Sequence, residues 1–322
     1  MKLNAINKAI IFLILIVSII SQSELKAQKI ERFIAVTIDD LPVVSPRNDL
    51  KVRREITKNL LAKVKKAKVP AIGFVNEAKL YKDEKRDEAE IDLLRSWLSN
   101  GLELGNHTFS HMSLHDNSLA DYKQNISKGE IITKELLEAK SLKMRYFRHP
   151  YLWTGLTMEI KNDLGAFLSE HNYTIAPVTV DNSDWIFASA YEKALAKNDK
   201  KLMKEIGAAY VPYMQAKMDY WERQSVKLFG REIKQILLLH ANQINSEYFG
   251  KIAKMLEKRS YKFVTLENAL TDDAYKLPDT FVKRNGISWL HRWALAKGKE
   301  MVLPDEPRVP EFVLKAAELE SE

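Results

Sequence analysis

Short apolar runs rich in β-branched and aromatic residues recur at 33–38, 71–75, 102–105, 144–147, 174–180, 236–239 and 262–264, and each predicts a strand. Between most of them the apolar positions return at helical spacing. Over 50–67 they place Ile56, Leu60, Leu61 and Val64 on one stripe; over 88–100 they place Ile91, Leu94, Trp97 and Leu98 on another, stopping at Gly101. Segments 119–139, 157–171 and 248–258 also predict helices. Seven strands alternating with helices predict an α/β fold around a parallel sheet. The alternation fits an open doubly wound sheet and a closed barrel equally well.

Two regions leave the repeat. Residues 188–229 predict a helical insertion, two helices divided near Pro212, which lacks the N–H a continuous helix needs. Residues 277–322 carry Trp289, His291 and Trp293, then Pro304, Pro307 and Pro310. This stretch predicts an extension packed back on the main domain, its aromatic cluster sealing one end of the fold, since large aromatics are mostly buried.

The first residues predict no part of the fold. Lys2 and Lys8 precede an apolar run over 9–20, then Ser21, Gln22 and Ser23, with Ala27 following Leu25-Lys26. That order is a signal peptide, 1–27, cleaved near Ala27, and it predicts an exported protein. The apolar run is shorter than the ~20 residues of a spanning helix, so no stable membrane span is expected after cleavage. The formal charge of +7 then falls to +5 with the loss of Lys2, Lys8, Lys26 and Glu24. No dense Lys/Arg block interleaved with aromatics appears, which argues against nucleic acid as a partner. The 46% hydrophobic content supports a sizeable core, and the absence of cysteine excludes disulfides, thiolate metal sites and cysteine nucleophiles. Oligomeric state is not encoded in any visible pattern.

The polar residues that carry chemistry gather after predicted strands. Asp39 and Asp40 follow the first, Asn106, His107 and His111 the third, Arg148 the fourth, Asp181 and Asp184 the fifth, and His240 the sixth. In parallel α/β folds the carboxyl ends of strands are where ligands bind. His107 and His111, four apart, would aim their rings the same way on a helical turn and could grip one divalent cation with a nearby carboxylate. Such a cation suits hydrolysis, because it acidifies water and polarises a carbonyl. Asp40 would bind it, leaving Asp39 as the base, with His240 as the candidate acid and Arg148 orienting Asp39.

At this point the sequence resembles a known family. Thr37-Ile38-Asp39-Asp40, His107-Thr108-Phe109-Ser110-His111, Arg148-His149-Pro150-Tyr151, Asp181-Asn182-Ser183-Asp184-Trp185 and Leu237-Leu238-Leu239-His240 look like the five motifs of the polysaccharide deacetylases, the fourth carbohydrate esterase family, in the family's order. The resemblance implies a distorted (β/α)₇, TIM-like barrel over 28–276 with the 188–229 insertion, followed by the 277–322 extension. It implies metal ligands Asp40, His107 and His111, with zinc the usual metal, a base Asp39 positioned by Arg148, and an acid His240 tuned by Asp184. It further implies that Tyr151 supplies a backbone amide to the oxyanion and that Trp185 with Leu238 or Leu239 walls the acetyl pocket. Ile38 stands where the family more often has an aromatic residue. The implied partner is an acetylated glycan, and the implied reaction is removal of N-acetyl groups from peptidoglycan or chitin-like N-acetylglucosamine. An O-acetyl esterase on xylan, a non-sugar amide hydrolase and a non-catalytic glycan-binding protein are the alternatives.

Overall fold

The structure, a computed structural model, describes residues 31–299 and 305–322. The predicted signal peptide and Pro304 lie outside the described residues. No described helix is long and apolar enough to cross a membrane.

The expected alternation is present. Strands β1 (Arg32–Val44), β2 (Ile72–Val75), β3 (Glu103–Asn106), β4 (Tyr146–Phe147), β5 (Thr174–Ile175), β6 (Gln235–Asn242) and β7 (Tyr261–Phe263) make one sheet, and every pairing in it is parallel. Its order is β5-β4-β3-β2-β1-β6, with β7 beside the start of β1. The sheet curls into a distorted barrel, which settles the choice that periodicity left open. Parallel strands covered by helices are buried on both faces, and β2 and most of β1 are fully buried accordingly.

Helices α1 (Leu50–Lys66), α2 (Glu88–Ser99), α3 (Leu119–Lys128), α4 (Ile131–Glu138) and α5 (Met158–Glu170) follow the first strands. Most begin at a side-chain cap: Asp49 accepts from the Lys51 amide, Asp87 from Ala89 and Glu90, Ser118 from Asp121, and Thr157 from Ile160. The predicted 119–139 helix is divided at Gly129. A Cβ there would meet the Phe109 backbone nitrogen at 2.5 Å, so the break lets the chain pass close beneath the His107–His111 loop.

Three expectations are corrected. The predicted 174–180 strand stops at Ile175, because Pro177 has no N–H for a ladder; Val180 then bridges singly to Leu237. The insertion is two helices, α6 (Asp184–Ala196) and α7 (Lys200–Phe229), divided not at Pro212 but at Asn198, which turns left-handed before Asp199 caps α7. Pro212 lies inside α7, where burial of Tyr210, Tyr213 and Met214 holds the helix through the missing hydrogen bond. His107 and His111 sit on a loop, with left-handed Thr108 and His111, rather than on a helical turn.

Helix α8 (Gln243–Lys258) packs along α1, and α9 (Leu266–Leu270) follows β7. Beyond residue 276, Trp289, His291 and Trp293 are buried on α10 (Trp289–Ala296), and the Trp289 amide donates to the Val178 carbonyl at 2.8 Å. Helix α11 (Glu311–Ala317) packs against α6.

Candidate metal and catalytic site

The sequence placed Asp39 and Asp40 just past the first strand; they lie instead within β1, where its register to both neighbours shifts. Asp39 is in register with His240 of β6, and Asp40 takes a left-handed φ of 66°. This bulge re-aims two consecutive carboxylates into one cleft, where a regular strand would send them to opposite faces.

Asp40 Oδ1 lies 3.5 Å from His107 Nε2 and 3.4 Å from His111 Nε2, and the two imidazole centroids are 4.9 Å apart. These three residues offer ligand atoms within 4.8 Å of one another. His107 Nδ1 is 2.8 Å from the Arg148 carbonyl. A carbonyl only accepts, so Nδ1 carries the proton and Nε2 presents its lone pair toward Asp40. Asp40 Oδ1 is buried and accepts no hydrogen bond from the protein. A neutral imidazole pair around an unsatisfied carboxylate oxygen is the donor set a divalent cation takes, and these residues fit one. Burial, reinforced by His111, lowers the His107 pKa well below its ordinary value, and burial lowers His111 as well; both favour the neutral, ligating form. Burial would raise the Asp40 carboxyl, but Lys79, His111 and His107 outweigh it and hold it below the usual carboxylate range.

Asp39 is 2% exposed. Its Oδ2 lies 3.8 Å from His107 Nε2 and 3.7 Å from Arg148 Nη1, and its Oδ1 has no partner. Burial, aided by the Asp40 charge, pushes its carboxyl up to about 6 against the opposing pull of Arg148 and His240. Arg148 is fully buried. Its Nη2 donates to Thr37 Oγ1 at 2.8 Å, and Thr37 in turn donates to the Leu237 carbonyl at 2.9 Å. His240 Nδ1 donates to Asp184 Oδ1 at 2.7 Å. Burial would lower the imidazole, but the Asp184 charge and hydrogen bond raise it to about 10.

The cleft over these residues encloses about 740 Å³ and is lined also by Tyr151, Trp185 and Leu238. Tyr151 and Trp185 are half exposed at its rim, and the Tyr151 ring lies 4.4 Å from that of His111. Leu239 does not line the cleft. It is fully buried in the core, because successive strand residues face opposite ways and His240 and Leu238 take the cleft side.

Sequence reasoning missed several residues. Lys79 Nζ donates to the Asp40 carbonyl at 2.7 Å, Asn76 Nδ2 to the His107 carbonyl at 2.7 Å, and Asn245 Nδ2 to Asp184 Oδ2 at 2.7 Å. No spacing rule joins them to the motifs; the only visible signal was Asn245 five residues beyond His240. Lys217, Trp221, Glu306 and Glu322 of the insertion and extension also line the cleft.

Residues 26–168 match the sequence model described as polysaccharide deacetylase. Over these residues the chain is similar to the polysaccharide deacetylase family. The match contains the first three motif segments, and the family's Asp184 and His240 counterparts lie beyond it. Among solved structures, the polysaccharide deacetylase Bc1974 from Bacillus cereus is similar over 80% of this chain and 100% of its own, with 16% identity and a TM-score of 0.51. The peptidoglycan deacetylase PdaC from Bacillus subtilis aligns over 75% of this chain and 92% of its own, at 21% identity and a TM-score of 0.45. BA3943 from Bacillus anthracis, a CE4 family pseudoenzyme, aligns over 76% and 66%, at 15% identity and a TM-score of 0.49. At these identities the likeness to Bc1974 is one of fold. No curated protein sequence matches the chain.

Proposed function

We propose that the protein hydrolyses the acetamide of N-acetylglucosamine units in a peptidoglycan- or chitin-like glycan, using a divalent cation, zinc first among candidates, held by Asp40, His107 and His111. The observation that carries this reading is the setting of Asp39. A buried carboxylate with one unpartnered oxygen stands between the histidine pair and Arg148, and shares its cleft with an Asp184-bound His240.

The cation, when bound, supplies Lewis acidity toward the acetyl carbonyl and the attacking water. Asp39 takes the proton of that water; with its carboxyl at about 6 it is ionised at neutral pH. Arg148 keeps Asp39 charged and oriented, and is itself fixed by Thr37. His240, an imidazolium up to about 10, gives a proton to the departing amine. The Tyr151 backbone amide faces the developing oxyanion, and Trp185 with Leu238 walls the space for the acetyl methyl. A leader at 1–27 would carry the 28–276 barrel and its 277–322 extension out of the cytoplasm to such a substrate.

The test is acetate release from N-acetylglucosamine oligomers, peptidoglycan and acetylated xylan, with added zinc and with chelator. Metal-dependent release from the first two supports the reading. Release from xylan alone makes the protein an O-acetyl esterase, and no release from any by metal-loaded protein removes the deacetylase reading.

A further inference from the structure

The cleft is not bounded by the barrel alone. Lys217 and Trp221 of α7 line it, together with Ser288, His291, Glu306 and Arg308 from beyond the barrel. Described parts of the C-terminal segment are tied to the rest of the protein at several points around the opening. Arg284 pairs with Asp116 at 3.1 Å, just past His111. Gly286 lies so close to the Tyr151 carbonyl that a Cβ would overlap it. Ser288 Oγ donates to the Thr179 carbonyl at 2.9 Å. Further on, Glu306 accepts from Lys217 Nζ at 2.6 Å, and the Glu322 carboxylate accepts from Ser183 Oγ and from the Val309 amide.

These anchors touch Asp116 beyond the second motif, Tyr151 of the third and Ser183 of the fourth. The Lys217–Glu306 pair is a fixed element of this wall. Lys217 is 3% exposed, with its ammonium 5.9 Å from the ring centroids of both Tyr213 and Trp221, and its partner Glu306 also lines the cleft. Removing one partner of such a pair would leave the buried Lys217 charge uncompensated. A polysaccharide threading past a catalytic centre needs a groove open at both ends. A cleft of about 740 Å³, open to solvent but bounded on this side by the insertion and the C-terminal segment, falls in the ~300–1,000 Å³ range of sites that take a small ligand.

Building on the deacetylase reading above, we propose that the insertion and the C-terminal segment close one side of the cleft, so that the protein deacetylates a terminal unit of a short oligosaccharide and excludes interior units of a polymer. Polar groups of the wall, Arg308 and the Lys217–Glu306 pair among them, would face the hydroxyls of that end sugar.

The experiment uses the full, metal-loaded chain on N-acetylglucosamine dimer to hexamer and on disaccharide fragments of peptidoglycan, each against its parent polymer. Acetate release is measured, and mass spectrometry locates the unit that lost its acetyl group. The expected result is a kcat/KM that stops rising at the dimer or trimer, loss confined to a chain end, and polymer slower per acetyl group by roughly tenfold or more. The double variant Lys217→Met with Glu306→Leu removes both charges together, avoiding an orphaned one, and should narrow the gap between oligomer and polymer. Rates that climb to the hexamer with interior units deacetylated overturn this inference and leave the deacetylase reading standing. A double variant with an unchanged length profile overturns the role of the wall, and no release from either series overturns both readings.

Discussion

Asp184 holds His240 at two points: Oδ1 accepts from the ring Nδ1 at 2.7 Å and Oδ2 from the backbone amide at 2.9 Å. Asn245 adds a donor to the same Oδ2. The carboxylate therefore fixes the tautomer, the ring plane and the charge of the imidazole together. In Asp184→Asn the negative charge is lost, and burial then acts unopposed to lower the His240 pKa. The alkaline fall in kcat for acetate release should move to lower pH, with kcat down by about 10²–10⁴-fold. A pH–rate profile with its alkaline limb unmoved would show that His240 does not donate the proton.

Removing one imidazole from the cluster should separate ligation from proton transfer. His107→Ala or His111→Ala is expected to lose bound metal and activity together, read by elemental analysis of the dialysed protein. Asp39→Asn is expected to keep its metal and lose about 10²–10⁴-fold in turnover. Full metal content in the histidine variants would remove them as ligands.

Gly286 lies outside every motif, yet the Tyr151 carbonyl leaves it no room for a side chain. Gly286→Ala should displace the Tyr151–Leu152 turn, in which both residues hold left-handed φ, and with it the Tyr151 amide proposed to donate to the oxyanion. A fall in kcat of roughly tenfold or more is expected, with metal content unchanged. Normal turnover in this variant would detach the extension from the chemistry.

His291, on the part of the cleft wall contributed from beyond the barrel, gives the fold an acid-sensitive element. Burial, with the nearby Lys217 charge, lowers its pKa from an ordinary 6.5 to about 4. The unfolded chain binds that proton more readily, so the stability contributed is present above about 6.5 and is lost as pH falls toward 4, on the order of 3 kcal/mol. Thermal midpoints measured from pH 7 to 4 should fall less steeply for His291→Asn than for the parent chain. Parallel curves would mean that His291 carries no such linkage.

Much of this architecture was legible because burial imposes periodicity. The seven strands and the stripes on α1 and α2 were read from the spacing of apolar and polar residues, and the candidate site residues from their nearness to strand ends, although Asp39, Asp40 and His240 lie inside β1 and β6. What escaped was set by three-dimensional neighbours. Pro212 reads as a helix break, but the packing around Tyr210 and Tyr213 outweighs one absent hydrogen bond, while the Asn198-Asp199 pair supplied the actual turn and cap. Leu238 and Leu239 are indistinguishable by type; only the strand's facing assigns one to the cleft and the other to the core. The His107–His111 spacing pointed to convergence, though a loop with two left-handed residues brings it about. Lys79 and Asn76 bond the backbone of Asp40 and His107, and Lys217 lines the cleft, from segments whose local sequence gives no reason to be there.

Of the thirteen non-glycine residues with left-handed φ among those described, Asp40, His111, Tyr151 and Leu152 line one cleft, and Thr108 lies in the loop that carries His111. Backbone of this kind persists only where surrounding packing dictates it. Here the dictating contacts are Gly129 beneath the histidine loop, Gly286 against Tyr151, and Lys79 on the Asp40 carbonyl. None of them needs an ion. The proposed ligand set is thus positioned by the protein's own packing, the reverse of a zinc finger, whose order depends on its metal. Chelation should strip such a protein to an inactive yet fully folded state, and adding the cation back should restore activity without a refolding step.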